Sequence, residues 1–236
     1  MRDKVFENTF SSLPAFGRGK ANPHARPEDT VIEDSKKLGR PKSEEKASAI
    51  LDAAAHLFLE RGVDGTSMDA IAERAGVSKQ TVYSHYQSKE SLFRSCIGGK
   101  LTQHQIAADD LPMTDNVAAD LEELGRRYLH LLVDRDVIAM FRVIIAESVR
   151  HERIARLFQE VGPARTRAVI ADYIQRRVQA GDLRAPNLDQ AVDVFTSTVR
   201  GDFHMMQLLG DDPPGPGRID QHVRQSVQHF LQAYAP

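Results

Sequence analysis

Apolar residues recur every three to four positions along most of this 236-residue chain, and that spacing limits its fold more than any other feature. An α-helix repeats every 3.6 residues, so the spacing puts apolar side chains on one helix face, whereas a half-buried strand needs strict alternation. The sequence contains no alternation longer than a few residues. We therefore expect an all-α protein.

Two segments interrupt the helical pattern. Residues 1–38 hold several prolines and glycines without a sustained period, which predicts a mobile tail. The run GDDPPGPG at 210–217 predicts a loop, because proline and glycine do not continue a helix. Between these segments we expect a small helical unit over residues 39–100 and a larger helical bundle over 101–236.

Capping residues suggest the bounds of the first helices. Ser43 and Gly62 have the residue types that begin and end a helix, so the first helix is predicted over 43–62. Thr66 and Asp69 have the spacing of a capping box, which predicts the start of a second helix. Gly76 then ends the second helix. Ser78 and Ser88 are the expected N-caps of the third and fourth helices.

The remaining helices follow from periodicity alone. They are predicted over 115–133, 136–150, 152–160, 163–180, 188–209 and 218–234. The segment VIAMFRVIIAE is apolar nearly all round, so its helix is expected at the centre of the bundle. The last helix carries an apolar stripe, formed by Ile219, Val223, Val227, Phe230, Leu231 and Tyr234.

Composition narrows the class of protein. The one cysteine, Cys96, excludes an intrachain disulfide. The longest apolar run has five residues, whereas a secretory signal needs about 7 to 15 and a membrane helix about 20, so we expect a cytoplasmic protein without a membrane partner. No HExxH, phosphate-binding glycine loop, GxSxG or cysteine cluster occurs, so we expect no enzyme, cofactor or metal site.

Residues 67–86 have the spacing of a helix-turn-helix, with the turn at Gly76. Ala72 is small where the helices approach, and Val77 with Val82 can fill the wedge between them. The outer face of the second helix carries donors and acceptors without a carboxylate, which favours DNA binding. A simple helical hairpin is the alternative at this stage. Segment 36–42 either reaches a minor groove through Arg40 or is only a solvated basic linker.

The run TSMDAIAERAGVSKQTVYSHYQSKESLF at 66–93 resembles the DNA-binding signature of the TetR family of transcriptional regulators. The resemblance implies a homodimer, double-stranded DNA as partner, a helical effector domain and release of DNA when a small molecule binds. It also implies that the last two long helices form the dimer interface. The residues that it assigns to DNA are Thr66, Ser67, Lys79, Gln80, Thr81, Tyr83, Ser84, His85 and Lys89.

The segment FRVIIAESVRHERIARLF is similar to the AefR-like branch of the family, and a cavity for a hydrophobic or amphipathic effector is expected nearby. Glu147 and His151 lie in or beside a very apolar helix, where they either contact the effector or satisfy each other and Arg150. Gly98 and Gly99 either form a hinge in the fourth helix or mark a fixed break or close packing against a neighbour. The residues predicted to bind the effector are Phe141, Glu147, His151, Tyr173, Phe195 and Met206.

The sequence thus predicts a ligand-responsive DNA-binding regulator, with a repressor as the expected kind. A helical adaptor or ligand-binding protein that does not bind DNA is the alternative. The two differ in one observable property, since only the regulator binds duplex DNA at low salt.

Overall fold

A computed structural model of the protein describes residues 40–215 and 217–236, with side chains from Glu44 onward. Within these residues the chain forms helices and no strand, which confirms the predicted all-α fold. A short 3-10 turn at Ala108–Asp110 separates the fourth and fifth helices. The helices are α1 (Arg40–Arg61), α2 (Met68–Arg74), α3 (Lys79–His85), α4 (Lys89–Gln103), α5 (Val117–Val133), α6 (Arg135–Ser148), α7 (Glu152–Val161), α8 (Pro163–Gln179), α9 (Leu188–Arg200), α10 (Phe203–Leu209) and α11 (Arg218–Tyr234).

Two predicted helix starts are wrong. Helix α1 begins at Arg40, so Ser43 lies inside it. Pro41 is compatible with this earlier start, because the first turn of a helix needs no backbone N–H donor from proline. The N-cap of α2 is Ser67, whose hydroxyl accepts a hydrogen bond from the Ala70 N–H, and Thr66 is buried behind it.

The predicted helix over 188–209 is broken into α9 and α10. Gly201 adopts φ +49° and ψ −145°, a conformation that only glycine adopts readily. A Cβ at this position would also lie 2.9 Å from the His222 ring. The apolar periodicity of the sequence continues across the break, so the pattern alone does not predict it.

One hydrophobic core joins the helix-turn-helix to part of the larger bundle. It contains side chains of α1 to α4 together with Met140 and Ile144 of α6 and residues of α7. Phe93 of α4 stacks edge-on against Phe58 of α1 at 5.8 Å and lies 6.4 Å from Phe158 of α7. Helices α6 and α7 are thus packed directly against the predicted DNA-binding unit.

A second core is formed by α5, α8, α9 and α11. The apolar stripe of α11 faces this core, and Val223 and Phe230 are 0% and 1% exposed. Phe230 packs edge-on against Phe195 at 5.3 Å. The stripe therefore stabilises the protomer, and it is not available as the surface through which two copies associate.

The expectation that α6 lies at the centre of the bundle is also wrong. Arg142 is exposed and Ile145 is 56% exposed, so one face of α6 meets solvent. The opposite face carries Met140 and Ile144 into the first core. Helix α6 thus lies on the outside of the molecule.

None of the helices in the described part of the chain combines the length and low charge that a bilayer-spanning helix needs.

Candidate DNA interface and effector cavity

The helix-turn-helix is assembled from α2, α3 and the turn between them. Ile71 and Ala72 of α2 and Val82 of α3 are buried, so the two helices pack through small and branched side chains. Gly76 has φ +65°, in the left-handed region, while the space beside it is open. The turn therefore needs glycine for its backbone conformation rather than to avoid a clash.

This packing turns one polar face of α3 outward. Lys79, Gln80, Tyr83 and Ser84 are exposed, and the Tyr83 side chain keeps 44% of its surface in solvent. His85 is half-buried, with its ring 6.3 Å from the ring of the neighbouring Tyr86. An aromatic ring and an amide that stand free on a helix have the reach and the hydrogen-bonding groups to contact base edges.

Two hydroxyls on this face already have local partners. The Ser84 Oγ donates to the Thr81 carbonyl oxygen at 2.8 Å. The Thr81 Oγ1 lies 2.9 Å from the Oγ of Ser78, which also accepts the Thr81 N–H and caps α3. Thr81 and Ser84 thus help to hold the start and the middle of α3, which leaves Gln80 and Tyr83 as long, exposed side chains without a hydrogen bond to the described residues.

Helix α3 carries no carboxylate of its own, but Asp69 of α2 places one beside it. The Asp69 Oδ1 lies 2.8 Å from the Lys79 Nζ, and both side chains are more than half exposed. The hydrogen bond and the negative charge of Asp69 raise the pKa of Lys79. In the free protein Lys79 is therefore ion-paired, and a DNA phosphate has to compete with Asp69 for it.

Thr66 and Ser67 have structural contacts. The Thr66 side chain is 3% exposed, and its hydroxyl is within hydrogen-bond distance of the Gly62 and Leu57 carbonyl oxygens, at 2.7 and 3.1 Å. We therefore assign Thr66 to the support of the α1–α2 turn and leave it out of the proposed DNA interface. Ser67 is exposed and caps α2. The Arg40 side chain and the predicted tail at 1–38 lie outside the described residues.

Lys89 lies at the start of α4 and is tied to the α1–α2 turn. Its Nζ donates to the Asp64 carbonyl oxygen at 3.1 Å and lies 4.0 Å from the Asp64 carboxylate. The same carboxylate lies 2.6 Å from the Nδ1 of His151, in the turn between α6 and α7. Asp64 thus links the DNA-binding unit to the helix pair α6–α7.

Glu147 makes a second link between α6 and the same turn. Its carboxylate accepts the Val63 N–H at 3.4 Å. Gly62 has φ +76°, and a Cβ at this position would overlap the Glu147 carboxylate. Glu147 and His151 therefore lie at the junction with the DNA-binding unit.

A cavity of about 310 Å³ lies among helices α1 and α4 to α9 and the start of α10. This volume is at the lower end of the range of about 300–1,000 Å³ that is usual for small-molecule sites. Most of the wall is apolar, with Leu59, Ile97, Met140, Phe141 and Phe158 among its side chains.

One wall of the cavity holds a buried charge cluster. The Lys100 Nζ lies 2.6 Å from the carboxylate of Asp136 and 3.4 Å from that of Asp134. Burial raises the pKa of Asp136. Burial would also raise the pKa of Asp134, but hydrogen bonds from His104 and the Val137 N–H and the charge of Lys100 outweigh it and lower the pKa to about 2. These charges satisfy one another.

Of the residues predicted to bind the effector, the structure brings only Phe141 to the cavity. Tyr173 is fully buried in the second core, where its hydroxyl accepts a hydrogen bond from the buried Arg177. Phe195 is fully buried against Phe230, and Met206 is 44% exposed on the outer side of α10. The polar cavity residues that the sequence did not single out include Tyr128, Arg200 and His204.

Within the described residues, no group of three or more histidine, cysteine, aspartate or glutamate side chains could hold a metal ion. Cys96 lines the cavity, but burial raises the pKa of its thiol to about 12, so the thiol stays protonated.

Family models match both halves of the chain. A model described as bacterial regulatory proteins of the tetR family matches residues 50–96, which span α2, α3 and the helices that support them. A model described as the C-terminal domain of AefR-like transcriptional repressors matches residues 119–236, half of the chain.

Individual proteins agree with these models. The uncharacterized HTH-type transcriptional regulator YdeS of Bacillus subtilis (strain 168) is 31% identical over 203 residues, which cover 83% of this chain and 93% of YdeS. The solved structure of the flavonoid-responsive regulator FrrA is 36% identical with a TM-score of 0.65, and the match covers 81% of this chain and 97% of FrrA. A TetR transcriptional regulator from Agrobacterium tumefaciens shares the fold, at 23% identity and a TM-score of 0.65 over 81% of this chain and 94% of its own. With its helix-turn-helix and helical C-terminal domain, this chain belongs to the TetR family of transcriptional regulators.

Proposed function

We propose that this regulator is a homodimeric repressor that binds a palindromic operator and leaves it when a small aromatic effector enters the cavity. The observation that carries the proposal is the outer face of α3, where Lys79, Gln80 and Tyr83 stand in solvent on a rigid support. Cationic and amide side chains on such a helix suit the phosphates and base edges of a major groove. The AefR-like repressor model supports the direction of regulation.

A two-turn recognition helix gives too little contact for specific binding on its own, so two copies have to act together. Because the α11 stripe is buried within the protomer, we propose that the copies meet through the outer side of α9 and α10. Exposed apolar side chains concentrate there, with Val194, Met205, Met206 and Leu209 between 36% and 75% exposed. Such apolar patches are typical of protein–protein contacts.

The cavity is the proposed effector site. Its apolar wall suits a hydrophobic or amphipathic molecule, as expected from the sequence, and FrrA, at 36% identity, is described as responding to flavonoids. We therefore propose an aromatic, amphipathic effector for this chain as well.

Two helices connect the cavity with the DNA-binding unit. Helix α4 begins beside α3 at Lys89 and lines the cavity with Ile97 and Lys100. Helix α6 lines the cavity with Phe141 and reaches the α1–α2 turn through Glu147. An effector that displaces either helix changes the spacing of the two α3 helices in the dimer, which lowers the affinity for DNA.

Selection from random duplex DNA tests the function. The expected result is enrichment of a palindrome with two half-sites about one helical turn or more apart. A flavone that fills the cavity should then reduce the fluorescence anisotropy of a labelled operator in the presence of the protein. Failure to enrich any sequence at low salt would favour the adaptor alternative.

A further inference from the structure

Three polar side chains that line the cavity each carry a hydrogen-bonding group without a partner among the described residues. They are Tyr128 of α5, Arg200 at the end of α9 and His204 of α10, and all three line the cavity. Arg200 is close enough to the other two to influence their pKa values through its charge. Together these three side chains form the polar triad.

His204 offers an acceptor. Its Nδ1 lies 2.8 Å from the Leu132 carbonyl oxygen, and a carbonyl can only accept, so the proton is on Nδ1. Burial lowers the pKa of His204, which favours the neutral ring. The Nε2 therefore carries a lone pair, and no donor among the described residues bonds to it. The Phe141 ring packs edge-on against the imidazole at 4.6 Å and helps to hold its orientation.

Arg200 and Tyr128 offer donors. Arg200 is exposed, and within the described part of the chain its guanidinium makes no ion pair or hydrogen bond, in contrast to Arg167 at the same cavity, which pairs with Asp189 and Asp193. The Tyr128 residue is 9% exposed, and burial raises the pKa of its hydroxyl, so the hydroxyl keeps its proton. Neither donor has an acceptor from the described residues.

We propose that the polar triad selects an aromatic effector that carries a hydroxyl group together with an acceptor oxygen. The effector hydroxyl donates to the His204 Nε2, and the acceptor oxygen receives hydrogen bonds from Arg200 and Tyr128. The inference rests on the proposed effector site and specifies which polar groups of the effector this site binds.

A carboxylate effector fits the polar triad less well. It would pair with Arg200 and Tyr128 but would leave the His204 Nε2 facing an acceptor, which costs binding free energy. A cationic effector finds no free carboxylate in the described part of the wall, because Lys100 holds Asp136, the acidic residue that lines the cavity. The mixed pattern of one acceptor and two donors is therefore matched best by a neutral phenol with a second oxygen.

Isothermal titration calorimetry without DNA tests the assignment with three probes: 7-hydroxyflavone, its methyl ether 7-methoxyflavone, and dodecanoate. The hydroxyl compound is expected to bind about tenfold more tightly than the ether, as the loss of one hydrogen bond to a buried acceptor predicts. In His204→Leu this ratio should fall to near one. Because both ligands are compared on the same variant, a general loss of stability does not imitate this result.

His222→Leu is the matched control, because the His222 Nε2 bonds backbone carbonyls of α9 outside this cavity. It should keep the full preference for the hydroxyl compound. Arg200→Met should weaken both flavones by similar factors and leave their ratio unchanged.

The assignment is overturned by a ratio near one in the wild type, by a ratio that survives His204→Leu, by tighter binding of dodecanoate, or by failure of all three probes to bind. The calorimetry is independent of DNA. An enriched palindrome together with any of these results would refute the polar triad while the regulatory function stands, and the absence of an operator would refute the function itself.

Discussion

At the residue scale, neighbours distant in sequence decide what a side chain does. Glu147 and His151 stand out in the sequence as polar groups in or beside an apolar helix, and their partners, Val63 and Asp64, lie more than eighty residues earlier. Local spacing offers only Arg150 and each other as partners. Tyr128, Arg200 and His204 likewise come from three helices, so no local motif marks them.

Thr66 gives a direct test of a structural role. Thr66→Val keeps the shape of the side chain but removes the hydroxyl that bonds the Gly62 and Leu57 carbonyls. We expect the free energy of unfolding to fall by about 1 kcal/mol in urea denaturation. The dependence of operator affinity on salt should stay as in the wild type, and a shallower dependence would return Thr66 to the DNA interface.

Gln80 and Lys79 are expected to contribute differently to DNA binding, Gln80 to sequence discrimination and Lys79 to affinity for any duplex. Gln80→Ala should lower the discrimination between operator and mismatched duplex by roughly 1–3 kcal/mol per half-site, because the amide can pair with an adenine edge. Lys79→Ala should weaken all duplexes alike and reduce the slope of log affinity against log salt by about 1 per protomer. Fluorescence anisotropy at several salt concentrations measures both effects. A uniform loss in both variants would contradict this division.

At the scale of the element, the apolar periodicity predicts where helices lie in the sequence but not which elements they pack against. The helices over 218–234 and 188–200 fall where the apolar pattern puts them, and the start of α10 depends on the Gly201 backbone, which the pattern does not encode. The α11 stripe shows the other limit. An apolar face looks the same in sequence whether it meets its own protomer or a second copy.

Helix α6 is predicted to pass the effector signal to the DNA-binding unit. Glu147→Ala removes the contact of α6 with the Val63 N–H and leaves the cavity wall intact. We expect flavone binding to stay unchanged in calorimetry, while more flavone is needed to release the operator. Glu152→Ala is the control, since the partner of Glu152 among the described residues is Arg156, in an exposed i,i+4 contact. Equal behaviour of the two variants would exclude this route.

Helix α4 offers a separate test at Gly98 and Gly99. The helix runs unbroken through both residues, and a Cβ on Gly98 meets no atom within 4 Å. A fixed break is therefore excluded, as is close packing at Gly98, and the hinge stays a prediction. Gly98→Ala with Gly99→Ala should stabilise α4 by up to about 1 kcal/mol per residue, preserve operator affinity and blunt effector-driven release. Release at the wild-type effector concentration would discard the hinge.

At the scale of the whole molecule, the proposed regulator acts through association of two copies. Met205→Glu with Leu209→Glu places charges on the exposed apolar side of α10, where both side chains are more than half exposed. We expect monomers in light scattering, an unchanged helical circular dichroism spectrum and loss of operator binding. Val223→Glu is the contrasting variant and should lose helical structure, because Val223 is fully buried. A double variant that remains dimeric would show that the interface lies elsewhere.

We propose above all that two α3 helices contact one DNA duplex together. The most direct measurement compares the affinity of the wild-type protein for the selected palindrome with that for a duplex in which one half-site is scrambled, at one fixed salt concentration. We predict a loss of at least a hundredfold in the scrambled duplex and a stoichiometry of two protomers per palindrome. Equal affinity for the two duplexes, or one protomer bound to each, would show that the α3 helices do not act in pairs.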